Sequence, residues 1–86
     1  MSGLRDLPNV GPVLEEDLRK IGVETPEQLR ELGAKEAWLR IRLQVDGGAC
    51  LHLLQGIEAA VEGVPKKQLS AEKKAELNQF FKEHNQ

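Results

Sequence analysis

The chain has one cysteine, one tryptophan, two phenylalanines, one methionine and no tyrosine. A single cysteine excludes an internal disulfide and agrees with a reducing compartment. No stretch approaches the roughly 18 apolar residues needed to cross a bilayer. The start, Met1-Ser2-Gly3-Leu4-Arg5-Asp6, lacks the apolar centre of a signal peptide, so a cytoplasmic location without membrane contact is expected. Charge of one sign is also missing. There are 12 Lys+Arg against 14 Asp+Glu, a formal net charge of −2. Residues 1–46 hold seven basic and nine acidic side chains, and residues 47–86 hold five of each. Neither half is a basic stripe of the kind that binds nucleic acid by bulk electrostatics.

Catalytic machinery is equally scarce. Cys50, His52 and His84 have no metal-ligand spacing. There is no paired carboxylate, Ser-His-Asp set or glycine-rich nucleotide loop, and Gly47-Gly48 reads as a helix break. The expectation is a protein that is not an enzyme and takes no cofactor, metal or small-molecule substrate. What remains is one small domain over residues 1–86, with an ordered core over about residues 4–82. At 40% hydrophobic and 30% charged it is too apolar for a disordered tail, and its core is small.

The boundaries that are present are helix boundaries. Leu4 to Leu7 has room for one turn before Pro8 stops it. Asn9-Val10-Gly11 offers residues that tolerate positive φ, and Pro12 suits the first position of a helix. Leu14, Leu18 and Ile21 then recur at helical spacing, with Glu15, Glu16 and Asp17 early and Arg19 and Lys20 late, the order that complements the helix dipole. Gly22 fits the left-handed position after that helix. Thr25-Pro26-Glu27-Gln28 is a capping box with Pro at N1. Leu29 and Leu32 face inward on the short helix it starts, and Gly33 ends it.

The segment from Ala34 to Val45 is read as a helix carrying Trp38, Leu39 and Ile41, broken by Asp46-Gly47-Gly48. Leu39 to Val45 alternates like a strand, but nothing else in the chain could pair with it. Ala49 to Glu62 is the strongest helix, with Cys50, Leu53, Leu54, Ile57 and Val61 as an apolar stripe, so Cys50 is expected to be a buried structural thiol. A second stripe of small residues, Ala49, Gly56, Ala60 and Gly63, predicts close packing of another helix or self-association, with Gly56 pressed against its neighbour. Ser70 caps a last helix with Leu77, Phe80 and Phe81 on one side, and the tail Glu83-His84-Asn85-Gln86 is expected to fray. The sum is an all-α, compact five-helix domain of helix-hairpin-helix or SAM-like type.

The stretch Leu7 to Val13 followed by an amphipathic helix has the shape of a helix-hairpin-helix turn. Such a turn points backbone N–H groups outward and, with a helix N-terminus, holds a phosphate oxygen without reading base sequence. Asn9, Val10, Gly11 and Val13 are the candidate contacts, with Lys66 and Lys67 as basic neighbours. The three carboxylates Glu15, Glu16 and Asp17 lie within the roughly 8 Å screening length and oppose a phosphate there. Three readings stay open: a tight turn, a phosphate contact, or a surface for a protein partner. Trp38 reads as core or as an anchor at a partner groove.

Two blocks of this sequence resemble the TfoX C-terminal-domain family. The first runs Leu7-Pro8-Asn9-Val10-Gly11-Pro12-Val13-Leu14-Glu15, then Leu18, Ile21 to Leu29, Leu32-Gly33-Ala34 and Ala37-Trp38-Leu39-Arg40. The second is Ala49 to Gly63. The likeness covers residues 4–81 and implies a compact helical domain related to helix-hairpin-helix folds, found in bacterial regulators of natural competence and as stand-alone proteins. At this length the chain is read as the stand-alone form. The resemblance brings no catalytic residues. Together these readings give a small regulatory interaction module that works through a protein partner or self-association. Weak, sequence-independent DNA binding through the hairpin is the alternative.

Overall fold

Proline and glycine mark the starts of the first three helices and the ends of the second and fourth. In the computed structural model, which describes residues 3–45, 47 and 49–84, the helices are α1 (Pro12–Lys20), α2 (Pro26–Leu32), α3 (Ala34–Gln44), α4 (Leu51–Glu62) and α5 (Ala71–His84). Two 3-10 turns, Leu4–Asp6 and Lys66–Gln68, precede α1 and follow α4. Among the described residues there is no strand, and no helix is long and apolar enough to cross a membrane. Of the expected helix break, Asp46 and Gly48 lie outside the described residues, as do Asn85 and Gln86 of the tail.

Thr25 caps α2 as its sequence requires: its hydroxyl oxygen accepts from the Gln28 N–H at 3.1 Å, and the Gln28 amide oxygen accepts from the Glu24 and Thr25 N–H groups. A cap of this kind stabilises by about 1 kcal/mol. Gly33 both ends α2 and starts α3, at φ 86°, a conformation an L side chain resists. The disputed segment 39–45 is helical to Gln44, and the Val45 N–H still bonds to the Ile41 carbonyl at 2.8 Å. Ser70 accepts from the Lys73 N–H at 3.0 Å at the start of α5.

All five helices feed one core, in which Leu18, Leu29, Trp38, Ile41, Leu54, Ile57 and Leu77 are fully buried. Trp38 is its centre. Phe80 and Phe81 of α5 meet the indole edge-on, with ring centroids 5.9 and 5.7 Å away. The indole N–H donates to the Cys50 carbonyl at 3.2 Å.

That bond accompanies one correction. Cys50 is exposed, not buried. It is extended at φ −100°, ψ 172° as the N-cap of α4, so the helix starts at Leu51 and the thiol lies off the apolar stripe. Of the tail, Glu83 and His84 belong to the last helix. The α5 helix continues to His84, whose ring lies 4.2 Å from the Phe80 ring and whose Nδ1 is 2.9 Å from the Phe80 carbonyl oxygen.

Where α3, α4 and α5 meet, Lys35 pairs with Glu76 at 2.7 Å and Lys73 approaches the same carboxylate at 3.5 Å. The Lys35 ammonium holds the Glu76 carboxyl below its ordinary value. Glu58 on α4 goes the other way. Desolvation, then its hydrogen bond to Glu62, raise its pKa from 4.5 to about 7, against the opposing pull of Lys73. The folded protein therefore keeps a proton on Glu58 that the unfolded chain has released above pH 4.5. Stability from this group is full below about pH 4.5 and is lost as pH rises through 7. The melting temperature is expected to fall between about pH 5 and 7.5, and Glu58→Gln should flatten that fall and raise the melting temperature at pH 8. An unchanged pH profile in the variant would show that Glu58 titrates normally.

Candidate functional site

The hairpin candidates are separated by the fold into inward and outward groups. Asn9 takes the left-handed conformation, φ 66°, the one non-glycine with positive φ among the described residues. Its side chain does not cap α1. It donates through Nδ2 to the Val64 carbonyl at 3.3 Å, across 55 residues of sequence. Val64 is in place because α4 ends in a Schellman-type turn, with Gly63 at φ 76° and the Val64 N–H bonded to the Ala59 carbonyl at 3.0 Å. Asn9 thus ties the hairpin to the end of α4. Val10 points into the core and has no side chain to offer a ligand. Gly11 is the N-cap of α1 at φ −99°, extended and not left-handed. Val13 is 74% exposed.

Val13 stands at the edge of a groove of about 330 Å³. Helix α1 supplies Val13, Leu14 and Asp17, α4 supplies His52, Leu53 and Gly56, and Asn9 and Lys66 complete the lining. The Lys66 ammonium lies 3.4 Å from His52 Nδ1. The fold therefore gathers three of the residues singled out from the sequence, Asn9, Val13 and Lys66, and adds Gly56 from the small-residue stripe. Lys67 is exposed and does not line the groove.

Gly56 is where the stripe reading needs revision. Ala49 and Ala60 are buried, and so is Gly56, but a Cβ built on Gly56 meets nothing within 4 Å. No helix presses on it. Its missing side chain is part of what leaves the groove open. The groove residues passed over in the sequence are Leu14, Asp17, His52 and Leu53. Val13 and Asp17, four residues apart on one helix, share a face, which was readable. The return of Lys66 to His52 was not, since it depends on how the chain turns after α4.

The electrostatics beside the hairpin are milder than three adjacent carboxylates suggest. Glu15 pairs with Arg19 at 3.6 Å and Glu16 with Lys20 at 3.5 Å. Such exposed pairs add little stability, but they cancel charge locally. Asp17 and Lys66 form no ion pair among the described residues, with each other or with a neighbour. Among those residues there is also no cluster of three or more His, Cys, Asp or Glu side chains placed to hold a metal.

Known proteins agree with this architecture. Residues 1–81 match the TfoX C-terminal domain, and the chain belongs to that family. It is 35% identical over 77 residues to Protein Sxy of Escherichia coli (strain K12), a match that covers 90% of this chain and 36% of Sxy. The chain thus spans about a third of the length of that curated relative. Two crystal structures of proteins from Listeria monocytogenes, one described as uncharacterized and one as of unknown function, superpose closely. The first, a triclinic form, has TM-score 0.94 and 42% identity and covers 98% of this chain and 94% of its own. The second, a tetragonal form, has TM-score 0.89 and 44% identity and covers 93% and 96%. The family is a regulatory one.

The Gly56 geometry gives a direct test. Gly56→Ala is expected to stabilise the domain by about 0.5–1 kcal/mol, the gain of alanine over glycine inside a helix, because the added methyl enters open space. Chemical denaturation measures it. A loss of 1 kcal/mol or more would mean that the site is packed after all.

Proposed function

We propose that this domain is a small non-enzymatic regulatory module that works in the cytoplasm by protein contact, through the groove between α1 and α4. The observation that carries this reading is an apolar side chain, Val13, left 74% exposed at the edge of a groove floored by Leu14, Leu53 and Gly56. An apolar edge beside an unfilled apolar hollow suits a side chain from another protein. Membership of a regulatory family supports the same role. The groove's one carboxylate, Asp17, and one ammonium, Lys66, cancel formally, which suits a polypeptide better than a polyanion.

DNA binding through the hairpin is the second reading, and one observation favours it: the basic side chain of Lys66 lines the same groove as Asn9 and Val13 of the turn. Against it, the Asn9 side chain is committed to Val64 and Asp17 lies in the same groove. Phosphate binding would also have to rest on partial charges of order half a unit at the helix start.

Two measurements separate the readings. In cells whose chromosomal copy carries Val13→Asp, the transcript profile is expected to match that of a deletion strain. Leu43→Asp, at a leucine 80% exposed on α3 and outside the groove, is expected to leave the profile as in wild type. In parallel, fluorescence anisotropy with a duplex oligonucleotide at about 150 mM salt is expected to give no binding within the 10⁻⁴–10⁻⁶ M range of non-specific binders. A wild-type profile for Val13→Asp contradicts the contact reading, and salt-sensitive binding in that range establishes the DNA reading instead.

A further inference from the structure

The geometry points to a second copy of this chain as the occupant of the groove, in a two-fold dimer where Val13 of each copy enters the groove of the other. The inference rests on the contact reading above and names its partner. In a two-fold contact the same patch faces itself, so every feature must find its complement within the patch. This patch contains both halves of an apolar fit. Val13, 74% exposed, stands at the edge of the groove, and apart from Gly56's chain neighbours and its own helix backbone no atom lies within 4 Å of where a Cβ would sit. A knob beside a hole is self-complementary under a two-fold axis: each copy's knob fills the other's hole.

Charge agrees. The groove lining carries Asp17 from α1 and Lys66 from the turn after α4, and neither forms an ion pair among the described residues. One acid and one base, set on different elements of the same patch, can pair twice across the axis, Asp17 with the other copy's Lys66 and the reverse. A strongly basic or acidic partner would leave one of them facing like charge. The other carboxylates at the start of α1 do not disturb this, since Glu15 and Glu16 are paired along their own helix.

The test is sedimentation equilibrium from about 10 μM to 1 mM, a range that reaches contacts as weak as millimolar. The wild-type mass is expected to rise from 9.6 kDa toward twice that value. Val13→Asp is expected to stay at the monomer mass with an unchanged helical circular dichroism spectrum, and Leu43→Asp to associate like wild type. The register is tested by charge reversal. Asp17→Lys alone and Lys66→Asp alone each place two like-charge contacts in a homodimer, so each is expected to weaken association by about tenfold or more. An equimolar mixture of the two variants restores both opposite-charge contacts in the mixed dimer and is expected to recover wild-type affinity.

A wild type that stays monomeric throughout overturns the proposal. So does association untouched by Val13→Asp, which would put the interface on another face, and so does a mixture no tighter than its components. These failures differ from failure of the contact reading itself. A monomer whose Val13→Asp variant still loses its transcript effect leaves the groove as a site for a different protein. A dimer whose Val13→Asp variant keeps its transcript effect leaves the dimer and removes its regulatory role.

Discussion

The arrangement of this domain depends on one buried indole. Trp38 receives the edges of Phe80 and Phe81 from α5 and bonds to the Cys50 carbonyl at the head of α4, so it fixes three of the five helices at a single point. Aromatic side chains contribute the largest buried areas, and an edge-on pair adds about 0.5–1.5 kcal/mol beyond area. In a chain with only three Trp and Phe residues, all three are spent here. Nothing comparable remains for the α1 side of the molecule, which is held by aliphatic contacts and by the Asn9–Val64 hydrogen bond.

The aromatic side is not filled throughout, since Phe80 borders a hollow of about 400 Å³ with Lys35, Leu39, Glu58 and Glu76. The groove between α1 and α4 has neither Phe nor Trp in its lining: Val13, Leu14, Leu53 and Gly56 border it together with Asn9, Asp17, His52 and Lys66. The hairpin that resembles a phosphate cradle acts first as a brace. Asn9 adopts its strained φ and spends its amide on the end of α4, holding α1 in place with Val13 outward. A contact surface built this way is set by the core and does not need to form on binding, which lowers the cost of association.

Much of the helical plan was legible because it was written locally. The Thr25–Gln28 box, Pro12 and Pro26 at first-turn positions, Gly33 between two helices and the Ser70 cap each act within four residues, and each is found in place. The all-α class and the family resemblance followed from the same residues. Cys50 was misread because periodicity cannot fix a helix start to within one residue. The Cys50 carbonyl accepts both the Leu54 N–H of the first turn and the Trp38 indole N–H from twelve residues away, a contact that no local pattern reports. The close-packing half of the Gly56 reading failed because a buried glycine has two explanations, a close neighbour or an open hollow, and spacing alone does not separate them. The groove itself joins residues 9 and 66, and no local pattern reports that the chain returns there.

The central claim is that this hollow, and not the hairpin backbone or another face, is where the domain makes contact. Two-dimensional ¹H–¹⁵N spectra of the isotope-labelled domain, recorded across a concentration series and again with duplex DNA at physiological salt, test it most directly. The account predicts concentration-dependent shifts confined to Val13, Leu14, Asp17, His52, Leu53, Gly56 and their immediate neighbours, and no change on adding DNA. Shifts centred on the Val10, Gly11 and Val13 amides on adding DNA, or concentration-dependent shifts gathered around Leu43, would contradict it.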